Sequence, residues 1–146
     1  MTPEQFKTVK FFKPSEKWGD LSKIDQLLVY CLDRTRMQGN CPFSIHCAYE
    51  SSGHSEDSYH YKGQAVDGHF VGMHLLNQLL VAERTNLWRG IGLYPFWNNP
   101  GLHLDVRGGQ PLRWIRDQAG IYHYNPTFEV IINITKESRH PMCQIK

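Results

Sequence analysis

Two histidines and one aspartate stand at positions where they could share a metal ion. His60 and Asp67 lie seven residues apart, and His103 follows in a separate stretch of the chain. Imidazole nitrogens and carboxylate oxygens are common ligands of Zn²⁺, and a site with only three protein ligands keeps its fourth position open for water. These residues therefore predict an open zinc site, and we interpret the rest of the chain as its scaffold.

The residues between His60 and Asp67 favour a site over a chance occurrence. A lone loop histidine is more often a hydrogen-bonded structural residue, and a lone aspartate at a strand end is more often a surface acid. Gly63 permits a tight turn with close backbone approach. Ala65 lies on the same predicted strand face as Asp67 and leaves room for an ion. Without a cation, Asp67 would be a costly charge in an apolar strand.

His103 and Asp105 are two residues apart in an alternating stretch, so they face the same side of a predicted strand. This alternation by itself indicates only a half-buried strand. A histidine ligand needs an acceptor for its second ring nitrogen, and Asp105 could be that acceptor or a general base. We predict the catalytic role for Asp105.

Most other potential ligands are interpreted as structural. The six further histidines are expected in structural or surface positions, and they are His46, His54, His69, His74, His123 and His140. Of these, His54 and His69 lie nearest the predicted site in sequence. The four cysteines lack metal-finger spacing and are predicted to be reduced thiols, and they are Cys31, Cys41, Cys47 and Cys143. Trp97 is predicted to line a cleft, whereas Trp88 and Trp114 are expected in the core.

Hydrophobic periodicity predicts the helices that must support these residues. The first helix is predicted from Asp20 to Gly39, with Ser22 and Asp25 resembling a capping box, Asp20 as the rival cap and Gly39 as the stop. A second helix is predicted over 73–83. Helices of this kind supply one packing layer of the core.

Alternating or short apolar runs predict the strands. They cover residues 43–49, 64–69, 90–94 and 102–106, and residues 114–116 form a further strand or an edge. The N-terminal arm, residues 1–19, is predicted to hold one short strand. The C-terminal extension, residues 125–146, is harder to interpret, because residues 129–134 have both strand and helix character.

Length and charge narrow the classes of protein. The chain of 146 residues predicts one domain over residues 1–146. A formal charge of +2 without a run of Lys and Arg argues against nucleic-acid binding. No stretch approaches the roughly 20 apolar residues of a membrane span, and the first residues lack the apolar run of a signal peptide. We therefore expect synthesis in the cytoplasm and no membrane partner.

The string SxHxxGxAxD at residues 58–67, followed by His103-x-Asp105, resembles the M15 zinc peptidases. This family includes D-alanyl-D-alanine carboxypeptidases and L-alanyl-D-glutamate endopeptidases of phage endolysins, and it shares its metal fold with the amino-terminal domain of Hedgehog. The resemblance runs from about residue 11 to residue 124. It implies zinc bound by His60, Asp67 and His103, with Ser58 beside a substrate carboxylate.

The chain departs from the family pattern in two places. Many members carry an arginine where this chain has Glu50, and Arg107 is a possible substitute for it. Many members also carry an acid three residues before the last histidine, where this chain has Pro100. The acid of the His-x-Asp branch follows the ligand instead, which makes Asp105 the candidate base.

The resemblance implies a small, mainly antiparallel sheet with helices on one side and a zinc cleft on its open face, an α+β fold. The implied activity is zinc-dependent hydrolysis of peptidoglycan stem peptides by a monomer, as a DD-carboxypeptidase or an endopeptidase. Ser58, Arg107 and Trp97 are the expected substrate-binding residues. Release to the cell wall in the manner of a phage or prophage protein, or carriage in a virion, would fit. The alternative is a module that binds wall peptide or a protein without hydrolysis, which Glu50 and Pro100 favour.

Overall fold

The structure is a computed structural model that describes residues 1–138. Its three 3₁₀ helices are Gln5–Thr8, Leu21–Lys23 and Tyr59–Lys62. The α-helices are α1 (Gln26–Gly39), α2 (Leu75–Thr85) and α3 (Phe128–Lys136). The strands are β1 (Phe43–Cys47), β2 (Ala65–Phe70), β3 (Gly90–Tyr94), β4 (Gly101–Asp105), β5 (Leu112–Arg116) and β6 (Tyr122–Tyr124).

All six strands of the described residues form one sheet in the order β1-β2-β4-β3-β5-β6. Every neighbouring pair is antiparallel except β3 and β5, which run parallel. The predicted α+β class with a mainly antiparallel sheet is therefore confirmed. Strands β2 and β4 lie side by side in the interior of the sheet, so the residues predicted as ligands on them are held on both flanks.

The two faces of the sheet have different chemistry because side chains alternate along each strand. On one face Val66, Leu102 and Leu104 are fully buried in the hydrophobic core. Helices α1 and α2 pack against each other and against β2, β3 and β4 on that face. The intervening residues Asp67 and His103 consequently point to the opposite face, where the predicted site lies.

Helix α1 has different ends from those predicted. Its N-cap is Asp25, whose carboxylate accepts a hydrogen bond from the backbone N–H two residues later. Asp20 instead caps the short 3₁₀ helix that precedes it, so the proposed capping box does not form. Gly39 is the last helical residue, and Asn40 takes the left-handed conformation with φ of 49°. The chain thus uses separate side-chain caps for two consecutive helical turns.

Local hydrogen bonds also explain the other differences from prediction. His74 caps α2 through its ring nitrogen, so this helix begins two residues after the predicted start. The N-terminal arm holds a 3₁₀ helix rather than a strand. Residues 129–134 are helical within α3, which Thr127 caps.

His140 and Cys143 lie outside the described residues. Within residues 1–138, no helix has the length and apolar character needed to cross a lipid bilayer.

Candidate metal centre

His60, Asp67 and His103 converge on a common point, as their sequence pattern predicts. His103 Nδ1 lies 2.8 Å from Asp67 Oδ1 and 3.3 Å from His60 Nε2. His60 Nε2 lies 3.2 Å from the same Asp67 oxygen. Ligand atoms arranged tetrahedrally at 2.0–2.1 Å from Zn²⁺ are roughly 3.3 Å apart. The three side chains can therefore hold a metal ion after small adjustments.

His60 is positioned by the 3₁₀ helix Tyr59–Lys62 and by one carbonyl of the preceding strand region. Ser58 caps this helix by accepting the His60 backbone N–H. His60 Nδ1 lies 2.6 Å from the Ala48 carbonyl oxygen, which can only accept a hydrogen bond. The proton of a neutral His60 is thereby assigned to Nδ1, so Nε2 presents its lone pair to the other two side chains.

This tautomer makes the site a good fit for a cation. The lone pair of His60 Nε2 faces Asp67 Oδ1 at 3.2 Å, and both are acceptors in a buried setting. Two buried acceptors that face one another are unfavourable unless a proton or a cation lies between them. In the metal-free chain His103 Nδ1 donates into this gap, and a bound ion would take its place.

A β-bulge orients the carboxylate of Asp67. The pairing of β1 with β2 shifts register between Ile45 and Cys47, so that Cys47 rather than His46 pairs with Asp67. Cys47 Sγ lies 3.5 Å from Asp67 Oδ2. Burial and the nearby Asp67 charge raise the pKa of the Cys47 thiol, which therefore stays protonated and donates. This contact holds one carboxylate oxygen and leaves Oδ1 for an ion, a role that the sequence did not reveal.

Burial alone would raise the pKa of Asp67. The hydrogen bond from His103 and the positive charge of that ring outweigh this effect and lower the pKa of Asp67 below its ordinary value. The carboxylate is therefore ionised at neutral pH and available as a ligand.

Asp105 lies behind His103 rather than in front of it. Its Oδ2 is 3.0 Å from His103 Nε2. Arg107 donates from Nε to Oδ1 at 2.8 Å and from Nη2 to Oδ2 at 2.5 Å. Asp105 is 0% exposed. Burial would raise its pKa, but the bonds to Arg107 and His103 lower it to about 2. The structure thus supports the acceptor role and not the predicted catalytic role, because a sealed and weakly basic carboxylate cannot take a proton from water in the cleft.

A glycine of β3 makes room for Asp105. Gly90 is the neighbour of Asp105 in the β3–β4 pairing, and a Cβ at Gly90 would lie 2.2 Å from an oxygen of that carboxylate. Any side chain there would displace Asp105 from His103. The sequence signal for this space is the pair of glycines on one face of β3, Gly90 and Gly92. The prediction of β3 rested on its apolar residues and drew nothing from these glycines.

The three converging residues line the floor of an open cavity of about 990 Å³. Ser58, Arg107 and Trp97, the predicted substrate-binding residues, also line it. Further aromatic and cationic residues complete the wall, and they are Tyr59, Lys62, Tyr94, Trp114, Arg116, Tyr122 and Tyr124. Arg107 is only partly free, because its guanidinium binds Asp105 while it lies 4.7 Å from the ring centre of Tyr59.

The two histidines nearest the predicted ligands in sequence behave differently. His69 does not join the three residues, since its Nδ1 lies 2.7 Å from His46 Nε2 on the β1 side of the sheet. His54 does line the cavity, and its ring stacks on His60 with 4.2 Å between centroids. His54 also pairs with Glu50. The loop conformation that brings it there has no periodic signal in the sequence.

Comparison with known proteins adds no relative. No protein-family model, no curated protein and no solved structure matches this chain.

Proposed function

We propose that this protein is a zinc-dependent hydrolase that cleaves peptide bonds in peptidoglycan stem peptides, as a DD-carboxypeptidase or an endopeptidase. The observation that carries the proposal is the convergence of His60 Nε2, Asp67 Oδ1 and His103 Nδ1 within 3.3 Å of one another on the floor of an open cavity. The resemblance of residues 58–67 and 103–105 to the M15 peptidases, and through them to the Hedgehog-type metal fold, supports the same conclusion.

The donor set favours zinc and an open site. Two imidazoles and one carboxylate match the three-ligand sets of catalytic zinc centres, and bound zinc acts there as a Lewis acid that activates water toward an amide carbonyl. The Ala48 carbonyl and the Asp105 carboxylate each engage the second nitrogen of a histidine ligand. Such partners fix the ligand orientation before any ion binds. A purely structural site would be closed by a fourth protein ligand.

The cavity wall suits a peptide with free carboxylates. Lys62, Arg107 and Arg116 line it together with several aromatic rings. The Ser58 hydroxyl accepts one backbone hydrogen bond from His60 and keeps its own proton available for a ligand. Trp97 stacks on Tyr94 with 4.2 Å between centroids, which gives one wall a flat apolar surface. Cationic groups and flat apolar walls suit a peptide that carries free carboxylates.

The second candidate function is a non-hydrolytic module that binds wall peptide or a protein. The specific observation in its favour is the sealed carboxylate of Asp105, together with Pro100 and Glu50 at positions where M15 peptidases carry an acid and an arginine. Under this alternative the metal centre and its cavity would bind ligand without turnover.

Incubation of the zinc-loaded protein with purified peptidoglycan distinguishes the two. We expect release of amino groups or of D-alanine, loss of release with a chelator, and loss of both release and bound zinc in His103→Ala. His123→Ala is the matched control, because His123 pairs with Asp117 away from the cavity and should behave like the wild type. Wall binding without released groups would instead favour the binding module.

A further inference from the structure

His54 occupies the rim of the cavity beside the metal centre without being one of its ligands. Its ring is nearly parallel to that of His60, with an angle of 13° and 4.2 Å between centroids. The lone pairs of imidazole nitrogens lie in the ring plane, so two parallel stacked rings cannot point at one ion. Although Cys47, His54 and His60 lie close enough to be a possible ligand group, this stacking excludes a shared ion in the present arrangement.

Glu50 engages one of the two ring nitrogens of His54 and leaves the other free. The Glu50 carboxylate lies 2.9 Å from His54 Nε2, so this nitrogen donates its proton to the carboxylate. Nδ1 is left as an acceptor, and no hydrogen-bond partner for it occurs among residues 1–138. A carboxylate that holds one ring nitrogen so that the other can accept a proton is the arrangement of many catalytic histidines.

The backbone of His54 is held as firmly as its side chain. Its N–H donates to the Tyr61 hydroxyl at 2.8 Å, and that hydroxyl donates in turn to the His54 carbonyl at 2.6 Å. Tyr61 belongs to the same 3₁₀ helix as His60. The ring of His54 is therefore fixed relative to the metal centre by three contacts: stacking on His60, the Glu50 carboxylate and the Tyr61 hydroxyl.

The cavity has few other groups that could accept a proton. Asp105 is sealed behind His103, and Asp67 uses Oδ1 toward the two histidines. Asp57 also lines the cavity, but it lies on the exposed part of the loop. Among the described lining residues outside the proposed ligand set, His54 is the only imidazole. Histidine is the side chain most often used for proton transfer near neutral pH.

We propose that His54, oriented by Glu50, is the proton-transfer residue of the hydrolysis proposed above, on which this inference rests. As the water oxygen bonds to the substrate carbonyl carbon, Nδ1 accepts the proton that the water loses. When the carbon–nitrogen bond breaks, Nδ1 returns that proton to the leaving amine, and His54 ends unchanged. Glu50 stands where many M15 peptidases have an arginine, and in this proposal its carboxylate positions the ring of His54.

The first test measures turnover and zinc content in His54→Ala, with Asp57→Asn as the rival acceptor and His123→Ala as the control. We expect His54→Ala to lower kcat about 10²–10⁴-fold with KM little changed. Zinc stoichiometry should stay that of the wild type, and added imidazole should restore part of the rate. Glu50→Gln should lower kcat less than His54→Ala, because the ring remains while its orientation is lost.

A second readout needs neither zinc nor turnover. Diethylpyrocarbonate reacts with accessible unprotonated imidazole nitrogens, and peptide mapping by mass spectrometry assigns the modified histidine. In the zinc-free chain we expect His54 to react faster than His60 and His103, whose nitrogens are buried and engaged, and Glu50→Gln to slow that reaction.

The outcomes separate the two proposals. Zinc-dependent turnover in the wild type with turnover within about threefold in His54→Ala would overturn the role of His54 alone. Loss of zinc in His54→Ala would do the same, by making His54 a ligand, and so would a larger loss in Asp57→Asn than in His54→Ala. Slower labelling of His54 than of His60 would contradict an accessible Nδ1 whatever the activity. An inactive zinc-loaded wild type would overturn the proposed hydrolysis and this role together.

Discussion

His103 is the residue whose protonation links the metal centre to pH. Its two ring nitrogens lie 2.8 Å from Asp67 and 3.0 Å from Asp105. Burial acts to lower the pKa of His103, but the hydrogen bonds to Asp105 and Asp67 outweigh it and raise the pKa to about 9. The metal-free chain therefore carries an imidazolium between two carboxylates at neutral pH, and an ion must displace the proton on Nδ1.

Zinc binding at pH 7 should accordingly release a proton from His103. Because the folded-state pKa is about 9, zinc affinity should rise by up to about tenfold per pH unit as pH increases toward 9. The contribution of protonated His103 to metal-free stability has the opposite trend, being complete below about pH 6.5 and lost as pH rises through about 9. Calorimetric titration of zinc in buffers of different ionisation enthalpy measures the released proton directly.

The control for this prediction removes the acceptor behind His103. Asp105→Asn should reduce the proton release at pH 7 and weaken zinc binding about 10–100-fold, as loss of an outer-shell partner does. Asp117→Asn, which alters the partly buried pair with His123, should change neither quantity. Zinc binding without proton release at pH 7 would contradict the raised pKa of His103.

At the scale of elements, the turn after the 3₁₀ helix Tyr59–Lys62 determines where His60 lies. Gly63 has φ of +65°, and a Cβ there would lie 1.9 Å from the Lys23 carbonyl oxygen. Its N–H donates to the His60 carbonyl, and its own carbonyl accepts the Asp25 N–H. The turn therefore ties the 3₁₀ helix to the start of α1, and only glycine fits both the conformation and the space.

Gly63→Ala should destabilise the fold and weaken zinc binding. Left-handed strain costs about 1–2 kcal/mol and the clash with backbone about 1–3 kcal/mol more, so we expect a loss of roughly 2–5 kcal/mol in unfolding free energy. Gly72→Ala is a matched control, because its φ is +73° but nothing lies within 4 Å of its Cβ. It should lose only about 1–2 kcal/mol. Urea denaturation gives both values, and equal losses would mean that contact with Lys23 is unimportant.

The sequence predicted the elements better than their ends. Alternation and helical spacing located β2, β3, β4, α1 and α2, because each buries one face against the core. The ends depend on single hydrogen bonds, such as the caps from Asp25 and His74, which compete with other candidates a few residues away. The helix α3 stayed undecided in sequence because its short apolar run suits either period.

For the molecule as a whole, the metal centre joins segments that are far apart in the chain. His60 lies 43 residues and Asp67 lies 36 residues before His103. An unfolded chain would not hold these groups together, so an ion binds the folded state far better than the unfolded one. The ion should therefore contribute to stability in addition to any chemistry.

Zinc should raise the melting temperature of the protein. A free concentration 100 times the Kd adds about 2.7 kcal/mol to the unfolding free energy, which corresponds to roughly 5–10 °C for a domain of this size. His60→Ala, which removes one ligand, should lose most of this increase, whereas His123→Ala should keep it. Differential scanning calorimetry with zinc and with chelator measures the shift, and equal shifts in His60→Ala and the wild type would contradict the proposed ligand set.

The candidate site was only partly predictable from the sequence, because several of its contacts join segments that are distant in the chain. His60, Asp67 and His103 were found because their residue types and spacing resemble a known motif. The sealed position of Asp105 depends on the space that Gly90 leaves in β3 and on Arg107, which are contacts across strands. The Glu50–His54 pair depends on a loop conformation, and the contact of Cys47 with Asp67 depends on a bulge. None of these is a periodic property of the sequence.

The adjacency of β2 and β4 also sets the order of events during biosynthesis. Asp67 and His103 face each other only after those two strands pair, and β4 ends at Asp105, about seven tenths of the way along the 146 residues. A nascent polypeptide still emerging from the ribosome with only β1 and β2 exposed holds two of the three donors. Binding of the proposed ion by all three donors would therefore follow translation of β4 and its pairing with β2.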